Sequence, residues 1–220
     1  MRHPVASSPA LPTIARRRLL ASGAAAVSAL ALPALLGRAW AQARQLPATP
    51  SQAEGPFYPL TLPTDSDFDL LRNGTAAYRQ GQPAWVEGTV RDTAGRPVAG
   101  AVVEIWQCDQ AGHYHHPGDG GRADPAFQGF GRVAVGPDGS YRFRTLKPAA
   151  YAGRAPHIHV KVRLDRKDLL TTQLYVAGEP ANERDFLWRR LSPDGRAALT
   201  APFTAASDGL VARFPLVVQA

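Results

Sequence analysis

Two histidines one residue apart, His157 and His159, sit in the stretch PHIHVKVRL (156–164) among Ile158, Val160 and Val162. A β-strand puts residues i and i+2 on one face, so as a strand this stretch aims both imidazoles the same way. Imidazole is the commonest protein ligand for metals, and a pair on one face can share an ion. Two phenols precede the pair. Tyr114 lies in GHYHHPGD (112–119), and Tyr151 lies in KPAAYAGRAPHIH (147–159), six residues before His157. Zinc usually takes thiolate, imidazole and carboxylate, and ferrous oxygenases use two histidines with one carboxylate. A phenol titrates near pH 10. Binding it as phenolate at neutral pH therefore asks for a hard, strongly Lewis-acidic cation, and ferric iron meets that demand.

Each residue also has a plainer reading. The histidines could be hydrogen-bonded strand residues, Tyr114 a surface loop side chain and Tyr151 a cap in a proline loop. A zinc or copper hydrolase built on His113, His115, His157 and His159 is a further alternative. The sequence HYHH supplies more imidazoles than a two-tyrosine, two-histidine site uses, and solvated loop histidines are the expectation for His115 and His116.

The elements that must position these side chains read as short strands. Gly and Pro, 20 of each, are scattered through the chain and suit many turns. Strand patterns run over 84–92, 98–109, 141–146, 156–164, 171–176 and 210–218, with TAGRP and GPDGS as turns. Only NERDFLWRRL (182–191) reads as a helix. Strands at this spacing predict a mainly β chain, an antiparallel β-sandwich with few short helices. The expected domain covers 54–220, with residues 42–53 as a flexible lead-in.

The first 41 residues read separately. Arg16-Arg17-Arg18 precedes an Ala/Leu-rich run to about Leu36, and Ala39-Trp40-Ala41 offers a small-x-small cleavage site. This is the order of a secretory signal, with an uncleaved amino-terminal anchor as the alternative. The adjacent arginines resemble a twin-arginine signal, which implies export of an already folded chain to the periplasm or beyond. The leader holds five arginines and no acid. Of 25 Lys+Arg and 18 Asp+Glu in the whole chain, 25 − 5 = 20 basic residues remain after cleavage, a balance of +2. No basic stripe suggests nucleic acid, and no membrane anchoring is expected after cleavage. The single cysteine, Cys108, lies in the apolar run AVVEIWQCD and reads as core, with dimer cross-linking as the alternative.

Around the four candidate ligands the chain resembles the intradiol ring-cleavage dioxygenases, specifically the protocatechuate 3,4-dioxygenase-like branch. The resemblance rests on EGPFYP (54–59), VEIWQCDQAGHY (103–114), FQGFGRVAVGPDGSYRFRTLKPAAY (127–151), RAPHIHVKV (154–162) and TTQLYVAGEP (171–180), in that order. It implies a non-haem Fe(III) cofactor held by Tyr114, Tyr151, His157 and His159. It implies that Tyr151 is the ligand that leaves when substrate binds, that Arg154 is the active-site arginine, and that Gln173 is the glutamine of the following strand. Trp106 matches the strand tryptophan before the first tyrosine. The implied reaction is cleavage of a catechol-type ring by O2 to a cis,cis-muconate-type diacid. The implied partners are a small aromatic diol and O2, with a homo-oligomer allowed. The chain lacks the extra helical region of the catechol 1,2-dioxygenase branch, and Arg122 or Arg132 is placed to attract an anionic ring substituent. A non-catalytic transthyretin-like β-sandwich binding module would share the strand pattern and need none of these side chains.

Overall fold

The computed structural model describes residues 45–220, and the expected signal segment 1–41 lies outside the described residues. A small ribbon (β1, Arg72–Asn73; β2, Ala76–Ala77) leads into the long strand β3 (Pro83–Asp92). Then come β4 (Val102–Trp106), β5 (Phe130–Ala134), β6 (Ser140–Leu146), β7 (His157–Leu164) and β8 (Lys167–Val176). Two short helices follow, α1 (Phe186–Arg189) and α2 (Pro193–Ala198). The chain closes with β9 (Thr200–Ala201), β10 (Thr204–Ala206), β11 (Gly209–Arg213) and β12 (Leu216–Val218). The mainly β expectation holds, and the strands form two five-stranded sheets. In one, β3 is the central strand between β6, β11 and β12. In the other the order is β5-β4-β7-β8-β9.

Not every pairing is antiparallel. β11 and β12 both run parallel to β3, and β9 runs parallel to β8. The single strand expected over 210–218 is two strands, because Pro215 between them has no N–H to continue a ladder. The strand expected over 98–109 ends at Trp106. Beyond it the chain turns into the loop that carries Tyr114.

The core lies between the sheets. Val86 and Val90 of β3, Phe143 of β6, Val103 and Ile105 of β4, Ile158, Val160 and Val162 of β7, and Leu174 of β8 are buried in it. Each such aliphatic side chain contributes about 1.5–3 kcal/mol on burial. Because β7 places Ile158, Val160 and Val162 in this core, its alternate residues His157, His159 and Lys161 must face the other way. They are buried nonetheless. Residues 45–60 cover that outer face as an extended strap.

The strap is tied down along its length, unlike a flexible lead-in. Leu46 N donates to Thr93 O, Thr49 N to Val217 O, and Gln52 N to Thr171 O. The Thr172 hydroxyl donates to Pro50 O at 2.7 Å, and Gln173 Nε2 donates to Ala53 O at 2.9 Å. Further along, Lys161 pairs with Glu54, and the Tyr58 hydroxyl donates to Glu104 Oε2 at 2.9 Å. Among the described residues no helix is long and apolar enough to cross a membrane.

Candidate metal and ring-cleavage site

Register puts the site together. In the β4–β7–β8 ladder His159 lies opposite Trp106 on one side and Gln173 on the other, while His157 lies opposite Tyr175. All of these point to the strap-covered face. Tyr114 and Tyr151 reach the same place from loops after β4 and before β7. The four rings close a circuit. Centroids are 4.7 Å apart for His157 and His159, 5.3 Å for Tyr151 and His157, 4.9 Å for Tyr114 and Tyr151, and 6.0 Å for Tyr114 and His159. His157, His159 and Tyr114 are buried and Tyr151 is half-buried.

The protonation states follow from the contacts. His157 Nδ1 lies 2.6 Å from the Ala155 carbonyl, which can only accept, so the ring proton sits on Nδ1. Burial first, and the Arg154 charge next, push the His157 imidazolium down to about 4. At neutral pH the ring is therefore neutral, and its Nε2 carries a lone pair. That nitrogen lies 3.2 Å from Nε2 of His159, itself held well below the usual histidine range by burial, His157 and Arg154. Burial also pushes the Tyr114 phenol well up, and a charge on Tyr151 would push it further. The Tyr151 phenol is near enough to Tyr114 to raise it further, but the Tyr114 hydroxyl has no partner that meets hydrogen-bond geometry. His159 Nδ1 has none either.

A buried phenol without a partner and a buried imidazole lone pair converging on one spot are what a cation would satisfy. The donor set fits a hard trivalent ion better than zinc. Among the described residues no three His, Cys, Asp or Glu side chains gather into a metal-binding group. The hydrolase alternative fails on the same geometry. His113 Nδ1 faces Asp119 at 3.4 Å. His115 Nε2 lies 2.6 Å from Phe127 O and 3.1 Å from Asp124 O. His116 is not simply solvated: its Nδ1 accepts from Gly118 N at 3.0 Å. These three brace the Tyr114 loop and do not join His157 and His159. Asp119 braces it too, accepting from Tyr114 N at 2.8 Å.

Arg154 lies beside the circuit. Its partner is Asp185, bonded from Nε at 2.7 Å. Its Nη2 donates to Gln173 Oε1 at 2.8 Å and reaches the Tyr175 hydroxyl at 3.3 Å. Gln173 thus spans Arg154 and the strap at Ala53. Trp106 stacks flat on His159, with centroids 4.8 Å and planes 9° apart, so it is a wall of the site. Phe57 of the strap stacks on Tyr114 at 4.7 Å and meets Tyr151 edge-on at 5.9 Å. Gly55 must be glycine. Its φ is +78°, and a Cβ there would lie 3.3 Å from His159 Cε1. The Tyr151 loop bends through two left-handed residues, Ala152 (φ 43°) and Gly153 (φ 76°). Arg122 is held on the surface by Asp119 at 3.1 Å.

Phe57, Tyr175 and Asp185 were not among the expected site residues. Phe57 lies in the EGPFYP stretch and Tyr175 two places after Gln173, so both had a local signal. Asp185 has none, because the local pattern of NERDFLWRRL (182–191) is helical.

The dioxygenase family profile matches residues 53–218. The chain belongs to the intradiol dioxygenase family. Its curated relatives include the beta chain of protocatechuate 3,4-dioxygenase from Burkholderia cepacia, 37% identical over 164 residues, or 68% of this chain and 64% of that protein. Hydroxyquinol 1,2-dioxygenase from Rhodococcus opacus is 35% identical over 157 residues, 62% of this chain and 49% of that enzyme. The chain thus spans about half to two thirds of the length of these relatives. Among solved structures, the dioxygenase domain of a dioxygenase–carbohydrate-binding protein fusion from Streptomyces sp. SirexAA-E is 34% identical. It superposes with a TM-score of 0.62 over 79% of this chain and 99% of that one. Membership in this dioxygenase family sets aside the non-catalytic transthyretin-like module. The two sheets are the intradiol dioxygenase sandwich, and the strap, the Tyr114 loop and the Tyr151 loop enclose the site.

Proposed function

We propose that this protein cleaves a catechol-type ring between its two hydroxyl-bearing carbons with O2. Each of those carbons takes one oxygen atom as the bond between them breaks, giving a cis,cis-muconate-type diacid. The observation that carries the reading is the closed circuit of Tyr114, Tyr151, His157 and His159 with its unpaired buried hydroxyl and the lone pair of His157 Nε2. These four would hold a non-haem ferric ion, whose chemistry is to draw charge from a bound catecholate so that the ring becomes reactive towards O2.

The protein's own groups divide the remaining work. Tyr151 is the half-buried phenol, on a loop turned by Ala152 and Gly153, and of the four donors that would hold the ion it is the one that would yield to substrate. Its Oη would then take up a proton from the hydroxyl of the incoming catechol. Burial raises the Tyr151 phenol, which favours proton uptake by its phenolate, while Tyr114 and the Arg154 charge oppose that rise. Arg154 keeps its Nη1 donors unspent, because Nε and Nη2 are taken by Asp185, Gln173 and Tyr175. Its fixed positive charge stabilises carbanionic charge on the ring without reorganising. Gln173 holds the guanidinium in place. Trp106 and Phe57 exclude water from the ring face.

The substrate class is a small aromatic diol with O2 as co-substrate. Export follows from the leader motif of Arg16-Arg17-Arg18, the apolar run and Ala39-Trp40-Ala41, and amino-terminal sequencing of the mature protein tests it. For the reaction, oxygen uptake is measured with ferric-loaded protein on a panel of catechol, protocatechuate and hydroxyquinol, and products are identified. The expected products are muconate-type diacids. Cleavage outside the two hydroxyl-bearing carbons, or no uptake with any diol, refutes the reading.

A further inference from the structure

Asp185 is 1% exposed and its carboxylate is wholly buried. It lies 31 positions from Arg154. It accepts from Arg154 Nε at 2.7 Å, Arg154 Nη2 at 3.3 Å, Ala155 N at 3.0 Å, Leu187 N at 3.0 Å and Trp188 N at 3.1 Å. The last two are an ordinary cap on the first turn of α1. The other three are not needed for a cap, and all of them lead into the site.

Ala155 is the residue whose carbonyl fixes the His157 ring proton on Nδ1. Arg154 depends on the same carboxylate for its orientation, because Gln173 Oε1 and the Tyr175 hydroxyl hold only its Nη2 end. The helix that Asp185 caps begins with Phe186, an exposed ring whose centroid lies 5.2 Å from the Arg154 guanidinium carbon. One buried carboxylate therefore indexes the arginine, the backbone before the histidine strand and the rim helix against one another. We propose that Asp185 is a positioning residue for ring cleavage, setting the angle at which the Arg154 guanidinium meets the substrate. The proposal rests on the role given to Arg154 above.

Asp185→Asn keeps an oxygen for the cap but removes the charge that grips Nε. Misplacing a catalytic group by about 1 Å costs up to roughly 100-fold. The expected result is a fall in kcat of about 10- to 100-fold with KM changed by less than about 3-fold, in protein that still melts cooperatively. The deciding measurement is a double-mutant cycle with Arg154→Ala. If Asp185 acts through Arg154, adding Asp185→Asn to Arg154→Ala lowers kcat by less than about 2-fold further. Full additivity, or an unchanged kcat in the single variant, overturns the proposal. A crystal structure of Asp185→Asn supplies a readout independent of turnover. The guanidinium should leave Gln173 Oε1, and a guanidinium in its original place sinks the idea. Failure of the functional reading looks different. There the wild type shows no oxygen uptake, or Arg154→Ala turns over like wild type, while the crystallographic comparison still decides what Asp185 holds.

Discussion

Replacing Tyr114 by Phe should move stability in opposite directions according to whether the protein holds metal. The Tyr114 hydroxyl is buried and has no hydrogen-bond partner, while its ring is stacked on Phe57 at 4.7 Å. Phenylalanine keeps the stack and removes the stranded hydroxyl. A buried, unpaired polar group costs about 1–3 kcal/mol. At the lower end the metal-free variant gains about 1 kcal/mol, and a domain of this size then melts about 2–4 °C higher. With ferric ion present the sign should reverse, because in the proposed site the Tyr114 oxygen is one of four donors. Each tenfold loss of affinity for the ion removes about 1.4 kcal/mol of linked stabilisation. Calorimetry on metal-free and ferric-loaded samples measures both changes. The visible tyrosinate-to-iron band of the loaded protein, expected to be burgundy in colour, should shift or weaken in the variant. A metal-free variant that melts lower, together with an unchanged visible spectrum, would refute the reasoning at its base, since the hydroxyl would then be satisfied within the protein.

Tyr58→Phe removes the hydroxyl that donates to buried Glu104, and losing a hydrogen bond to a charged group costs about 1.5–3 kcal/mol. The denaturant midpoint should fall accordingly, and a midpoint equal to wild type counts against the strap latch. Burial opposes ionisation of Asp185, but bonds from Arg154, Trp188 N and Ala155 N hold its carboxyl below the usual carboxylate range. A carboxyl depressed on folding contributes stability that is fully present above its unfolded value, about 3.9, and is lost as pH falls through the lower folded value. Urea titrations from pH 7 to pH 2 should show that acid loss in wild type and a flatter acid limb in Asp185→Asn. The thiol of Cys108 is fully buried, donates to Ala149 O at 3.6 Å and is pushed up to about 12 by burial. It should resist thiol reagents at pH 8 until denaturant is added, and reaction in the native protein would reopen dimer cross-linking through this residue.

Sequence alone determined the parts of this protein that depend on neighbours along the chain. Period-two alternation in PHIHVKVRL fixes that His157 and His159 share a face, and the core-facing Ile158, Val160 and Val162 confirm the phase. The order of the EGPFYP, Trp-Gln, tyrosine and histidine stretches placed the chain in its family. Local signals also misled where a single residue interrupts a pattern. Pro215 splits the last strand. The helix read over 182–191 opens as a 3-10 turn at Pro180–Arg184 and restarts at α1, because Asp185 takes an extended backbone (φ −74°, ψ 121°) and caps the new helix.

What tertiary structure alone decided is how long-range pairing spends the polar groups. Nothing local links Arg154 to Asp185, Tyr58 to Glu104 across 46 positions, or Tyr175 to Gln52 across 123. The alternation along PHIHVKVRL says that His157, His159 and Lys161 share a face but not whether that face is wet. The strap buries it, and every charge or imidazole there then had to find a partner or await an ion. A pattern along the chain says which way a side chain points. Burial on the second face, which comes from residues far away in sequence, sets whether that side chain is wet, paired or poised to bind.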